Sequence, residues 1–371
     1  MTIEFWKIRR EMFRFGSQAR AIPEDVFNYL FATWHYDRKI AGQIDRFDGN
    51  LPKSKRIAIF LIFPKSGLLD SHLHTLAYFR SKGYATLVVS NLPLCQTDKN
   101  ILSENCWRFI QRPNFGYDFG GYRDGVLSLT EDLPHLERLV FINDSVWFPL
   151  PNSRDWLDDV EELQVDFSGA ASNFGTPRPE VHAFRSLKWS YSTQHRDFHI
   201  CSFAICLRPN VLQDENFLSF WRGLRLTNKK KRTVRRGEIG FTQWAMRHFF
   251  SVGTTLDVTD LDHELAALGE ARLREVAGDL IIPENPKLSQ LWQDLTEDPK
   301  TSRQDLEKLI LLTVSRQGAS YALAAYSTRE KGFPFLKKSP FSSGSESSEA
   351  NLQVLNKTRD PKNLIAHFKL I

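Results

Sequence analysis

Four short apolar runs punctuate the first half of the chain: residues 56–63 (RIAIFLIF), 85–90 (ATLVVS), 107–110 (WRFI) and 139–142 (LVFI). They do not alternate cleanly between apolar and polar, so they predict strands buried on both faces, as in a parallel sheet with helices either side. Between them the apolar positions recur at helical spacing. One such stretch runs from Leu68 to about Lys82 and stops at Gly83; another covers about Phe119 to Leu129. Strand, helix and strand at these intervals read as βαβ units with right-handed crossovers. Further strands are predicted at 167–172, 199–207 and 254–258, with a helix over 238–250. Beyond Asp260 the pattern is helical, at 261–277, 288–295 and 302–325, and residues 342–350 (SSGSESSEA) read as a mobile loop. This divides the chain into a helical stretch at 1–50, an α/β domain at 51–260 and a helical region at 261–371.

Residues 1–16 (MTIEFWKIRREMFRFG) set seven large apolar side chains among Lys7, Arg9, Arg10 and Arg14. A basic amphipathic helix of this kind either lies in a bilayer interface or packs on its own domain, and the pattern fits both. A second aromatic-rich helix is predicted from Asp25 to about Ile40. The hydrophobic share of 42% supports a real core, and the net charge of +5 suits anionic ligands such as phosphates. That charge is too small to imply nucleic acid. Cys95, Cys106, Cys201 and Cys206 form no CxxC pair and have no histidine at zinc spacing, which predicts reduced thiols in a cytosolic protein. There is no signal-peptide pattern and no apolar run of about 18 residues, so no membrane span is predicted.

The chemistry concentrates between Gln111 and Pro149. The run 139–142 stops at Asn143-Asp144-Ser145, and in open α/β sheets ligands sit beyond the carboxyl ends of the strands. An acid in that place can hold a divalent metal, Mg or Mn, that in turn holds a diphosphate; it can also simply cap a turn. Only one carboxylate is present, so a ligand site is better supported than a metal site. As a surface-like acid, Asp144 should cost under about 1 kcal/mol to replace. The loop containing Asn114, Gly116, Asp118, Gly120 and Gly121 has glycines that would let a ligand approach the backbone, and amides opening a helix that would favour an anion. Arg112 and Arg123 are candidates to grip phosphate, and Ser90 and Asn91 to contact the base. Residues 229–236 (KKKRTVRR) carry six positive charges, reading either as a solvated loop or as a mobile basic loop that folds over a diphosphate. Glu238, directly after it, is the candidate base for an acceptor hydroxyl; His199 and His182 are lesser candidates.

RPNFGYDFGGYRDG followed by FINDSVWFP resembles the rhamnan-synthesis F group of bacterial glycosyltransferases, and the later NPKLSQLWQDL and GFPFLKKSP are similar to that group's closing motifs. The likeness runs from about Arg56 to Pro340. It implies an α/β, GT-A-like nucleotide-diphospho-sugar-binding fold with a mostly parallel sheet. It also implies a nucleotide-sugar donor and transfer of a deoxyhexose such as rhamnose to a growing surface polysaccharide, on a glycan or lipid-linked glycan acceptor. Such an enzyme is expected in the cytoplasm, at the inner face of the membrane. GT-A enzymes hold metal through a DxD motif; Asn143-Asp144-Ser145 stands in the matching place with one Asp, which leaves metal dependence open. A non-catalytic nucleotide- or glycan-binding subunit is the alternative from another class. A nucleotidyltransferase would want a better Gly-rich segment after the first strand than Pro64–Gly67.

Overall fold

The computed structural model describes residues 31–282 and 285–339. The basic amphipathic helix expected at 1–16 and the loop at 342–350 lie outside them. The strands are β1 (Asp45–Asp48), β2 (Arg56–Ile62), β3 (Ala85–Ser90), β4 (Arg108–Gln111), β5 (Arg138–Asn143) and β6 (Val146–Trp147). They continue as β7 (Phe167–Gly169), β8 (Ser172–Asn173), β9 (His199–Ile200), β10 (Ala204–Leu207), β11 (Val252–Thr254) and β12 (Leu336–Lys337). Eight of them form one mixed sheet in the order β1-β4-β3-β2-β5-β10-β7-β11. The strands β4, β3, β2 and β5 run parallel, whereas β10 is antiparallel to both of its neighbours. From β2 the chain builds first to one side, through β3 and β4, and then returns to the other side at β5. The junction of β2 and β5 is therefore the topological switch point, where α/β sheets leave a crevice for ligands. This doubly wound sheet, with two reversed strands, β1 and β10, and helices on both faces, is a GT-A-like fold.

The unbroken apolar runs behave as their composition demands. Ile57, Ile59 and Leu61 of β2 enter one hydrophobic core, while Ala58, Phe60 and Ile62 enter the core on the opposite face. Strand β5 divides the same way, with Leu139 and Phe141 against Val140 and Ile142. The first face carries an aromatic stack of Phe119, Tyr122, Phe141, Trp221 and Phe241. On the second face, Leu306, Leu309 and Leu312 of the helix Arg303–Gln317 join the core of the sheet itself.

Several expected elements are shorter than their apolar patterns. The stretch 199–207 divides into β9 and β10 around a turn, and 167–172 stops as β7 at Gly169 before resuming as β8. The late strand falls at Val252–Thr254, ahead of 254–258. The helix expected over 302–325 ends at Gln317 because Gly318 takes a left-handed φ of 86°. The edge strand β1 has only Phe47 as an apolar residue, so no periodicity announced it; its charged residues suit an exposed edge. The β6–β12 ribbon was also not anticipated, since each strand is two residues long.

The glycines of GYDFGGYRDG shape the start of a helix and its packing on the sheet. Gly116 adopts φ 80° as it starts the helix Tyr117–Ser128. Gly121 faces the sheet: a Cβ there would stand 2.3 Å from Leu61 Cδ1. Gly121 and Gly125, the latter with a Cβ position 2.9 Å from Ile59 Cγ2, let the helix lie close on β2, so the backbone approach they permit is to the protein's own sheet. Gly121→Ala is expected to destabilise the protein by about 1–3 kcal/mol through overpacking. Gly223→Ala, where nothing lies within 4 Å of the added carbon, should stay within about 0.5 kcal/mol. Thermal unfolding of the two variants checks this; equal melting temperatures would refute the close approach.

Candidate functional site

Above the carboxyl ends of β2 and β5 lies a cavity of about 380 Å³, lined by Leu61, Ile62, Phe63, Asn91, Asn114, Tyr117, Asp118, Asp144 and Asn228. Three separated parts of the sequence deliver its polar groups. Asp144 follows β5, Asp118 sits in the first turn of the helix Tyr117–Ser128, and Asn91 follows β3.

Asp144 is an anchor and also part of the cavity wall. Its Oδ2 accepts a hydrogen bond from the Phe63 amide at 2.7 Å, which ties the end of β5 to the end of β2. The same oxygen lies 3.3 Å from Nε2 of the buried His72. The Leu69 amide donates to His72 Nδ1 at 3.1 Å, so the ring proton belongs on Nε2, facing Asp144. That nitrogen nevertheless makes no well-formed hydrogen bond. The other oxygen, Oδ1, accepts no hydrogen bond among the described residues. The acid is thus no loosely attached surface group, and its loss should cost more than the expected figure of under about 1 kcal/mol, because a partly buried amide would be orphaned.

Asn143 is 3% exposed and works within the protein. Its Nδ2 donates to Asp118 Oδ2 at 3.2 Å, and its Oδ1 accepts from both the amide and the hydroxyl of Ser145. Burial, followed by the charge of Glu238, pushes the Asp118 carboxyl up to about 6, with Lys337 opposing the shift. A carboxyl raised on folding takes stability away as it ionises, so this group's contribution declines between about pH 4 and pH 6 and stays low above.

Glu238 comes from the opposite direction. Its Oε1 accepts from the Ser202 amide at 2.7 Å, and Oε2 lies 3.9 Å from Nε2 of the buried His199. His199 is itself oriented by a 2.8 Å contact between Nδ1 and the Asp197 carbonyl oxygen. Glu238 belongs to a π-helical turn, Arg235–Ile239, a local irregularity frequent at functional sites. His182 is exposed on the turn Val181–Ser186.

Four expectations need correction. Arg112 does not face the cavity: its guanidinium is consumed by Asp124, Asn91, Tyr36 and the Phe115 carbonyl. Arg123 likewise holds Asp37 with both terminal nitrogens and the Trp221 carbonyl with Nε. Ser90 is fully buried, with its hydroxyl donated to the Leu92 carbonyl. The basic run is not a loop but the helix Lys230–Val234 continuing into the π turn. It can fold because its few uncharged positions face inward. Thr233 is buried and donates to the Thr227 carbonyl, and Gly237 abuts the Phe119 ring.

Other participants went unrecognised. Asn228 Oδ1 accepts from the Gly116 amide, which holds the glycine loop. Tyr117 is 41% exposed at the cavity with φ 51°. Lys337 and Lys338, at the end of GFPFLKKSP, reach the acids from the far end of the chain; consecutive lysines closing an apolar run were the available signal. Three of the cysteines are buried and all four are free. Among the described residues no helix is long and apolar enough to cross a membrane.

The sheet, its switch-point crevice and the acids around it define the GT-A-like class of nucleotide-diphospho-sugar-binding folds. The particular family follows from the sequence: the family model of rhamnan synthesis protein F matches residues 86–282, more than half of the chain, and the chain belongs to that family. An uncharacterised protein, y4gN, of Sinorhizobium fredii is 35% identical over 237 residues, covering 64% of this chain and 57% of that protein. The virulence protein VirA of Vibrio anguillarum is 28% identical over 144 residues, covering 36% of this chain and 45% of VirA. The chain thus spans about half the length of the curated relatives it matches. Among solved structures, core-mannan synthase A from Aspergillus fumigatus in its Mn/GDP form is similar at TM-score 0.30 and 9% identity, over 54% of this chain and 71% of that one. The mannosyltransferase PcManGT from Pyrobaculum calidifontis, in complex with GDP-Man and Mn2+, is similar at TM-score 0.28 and 11% identity, over 95% and 94%.

Proposed function

We propose that the protein is a glycosyltransferase that moves a sugar from a nucleotide-diphosphate donor to a growing bacterial surface glycan. A deoxyhexose such as rhamnose is the sugar that the family description favours, and a glycan or lipid-linked glycan is the acceptor. The observation that carries the reading is the cavity at the β2–β5 switch point, with Asp144 and Asp118 in its wall and Glu238 within electrostatic reach of Asp118. The donor enters this cavity with its diphosphate toward Asp144 and its base toward Asn91 and Asn114. Tyr117 offers an exposed ring at the same rim.

Among the described residues no three metal-ligating side chains gather in one place. Two carboxylates still fit Mg or Mn, ions that keep several waters and share substrate phosphates. Asp144 and Asp118 would hold such an ion, which when bound would neutralise charge on the leaving diphosphate. Glu238 is oriented by the Ser202 amide and His199, and takes the proton from the acceptor hydroxyl if transfer inverts configuration. The work takes place in the cytoplasm, at the inner face of the membrane.

The test combines binding with turnover. Nucleoside diphosphates, with and without manganese, should raise the melting temperature, since ligand at a hundred times its dissociation constant adds about 2.7 kcal/mol. Glu238→Gln should keep that shift, because the amide oxygen can still accept from Ser202, but lose transfer by about 100-fold or more. A Glu238→Gln protein that turns over normally removes the base assignment. The absence of any nucleotide shift removes the donor site.

A further inference from the structure

We infer that Lys337 and Lys338 form a two-sided cationic clamp for the donor's diphosphate, an inference that rests on the donor site proposed above. The clamp follows from the β6–β12 ribbon. Lys337 pairs in register with Val146, and the Lys338 amide donates to the Ser145 carbonyl at 2.9 Å. The ribbon therefore brings two successive lysines against the segment that carries Asp144. Successive residues of an extended strand project to opposite sides, and the two ammonium groups diverge accordingly. Lys337 Nζ lies 4.0 Å from the centroid of the Phe203 ring, within the electrostatic reach of Asp118 and Glu238. Lys338 Nζ lies 3.4 Å from Ser71 Oγ and within reach of Asp144.

Neither lysine makes an ion pair within 4.0 Å among the described residues, unlike Lys53, Lys82 and Lys331. A partly buried ammonium without a counter-ion is costly, and burial holds both lysines below their ordinary pKa. Polyvalent anions relieve that cost, because each phosphate oxygen supplies the missing charge and acceptor. A diphosphate spanning Asp118 and Asp144 would have Lys337 toward the first acid and Lys338 toward the second. The arginines expected to do this are committed to Asp124 and Asp37, which leaves this pair together with Lys230, whose charge also acts on Asp118.

The probes are inorganic pyrophosphate and the diphosphates of uridine, guanosine and thymidine, titrated calorimetrically in chelator and again with magnesium. Wild-type protein should bind at least one of them in chelator. Lys337→Met and Lys338→Met should each weaken that binding by tenfold or more and flatten its dependence on salt. In wild-type protein, bound pyrophosphate should protect both lysines from acylation by acetic anhydride, read by mass spectrometry. Protection also guards against variants that fail to fold, and it separates contact from a mere easing of the field around the acids. Diphosphate binding within twofold of wild type in both variants, binding confined to magnesium, or unchanged acylation under pyrophosphate each overturns the clamp alone. A wild-type protein that binds no nucleoside diphosphate in either condition overturns the donor site, and the clamp with it.

Discussion

Asp144→Ala is expected to abolish sugar transfer and, in the same step, to destabilise the protein by about 1–3 kcal/mol. The second effect arises because the carboxylate is the acceptor for the Phe63 amide and the neighbour of a buried histidine; alanine leaves a partly buried donor without a partner, at the cost of its desolvation. Asp144→Asn separates the two effects. Its amide oxygen can still accept from Phe63, so most of the stability should return, while the negative charge that a donor-bound cation needs does not. Thermal unfolding beside an assay of donor hydrolysis checks both. Full activity in the alanine variant at saturating donor would overturn the donor-site assignment, and an unchanged melting temperature would overturn the anchoring role.

Arg112→Met should produce the larger loss of stability, about 3–5 kcal/mol, with a melting temperature lowered by roughly 10 °C. Arg112 is buried, with Nε 2.5 Å from Asp124 Oδ2, Nη1 2.6 Å from Asn91 Oδ1 and Nη2 2.8 Å from the Tyr36 hydroxyl. Tyr36 also donates to Asp124, and burial followed by that charge pushes its phenol well above the ordinary range. Removing the guanidinium strands the Asp124 carboxylate in the interior, which is where the penalty comes from. Arg112→Lys should restore only part of the stability, since an ammonium cannot reproduce the planar fork. Calorimetric unfolding distinguishes this from a phosphate-binding arginine, whose loss would weaken ligand affinity and spare the melting temperature.

The parts of this protein that were legible in its sequence are those set by local pattern. An uninterrupted apolar run tells of a strand covered on both faces, and β2, β3 and β5 are such strands because every second residue enters a different core. The stop at Asn143-Asp144-Ser145 marked the carboxyl end of β5, which is why Asp144, Asn114 and Asp118, which share one cavity wall, could be grouped from the sequence. What the pattern could not carry was the orientation and partnership of each polar group. Asn91, Arg112 and Asp124 come together with Tyr36 from four separate segments, and only that meeting turns an apparent phosphate ligand into an internal tie. Charge alone made residues 229–236 look unfoldable; Thr233 and Gly237 find Thr227 and Phe119, and the run becomes a helix. Lys337 and Lys338 reach the acids only because a two-residue strand pairs with β6. Sequence periodicity reports which faces are apolar, since burial acts residue by residue along an element. Ion pairs and hydrogen bonds join groups distant along the chain, so their geometry is decided when the elements pack.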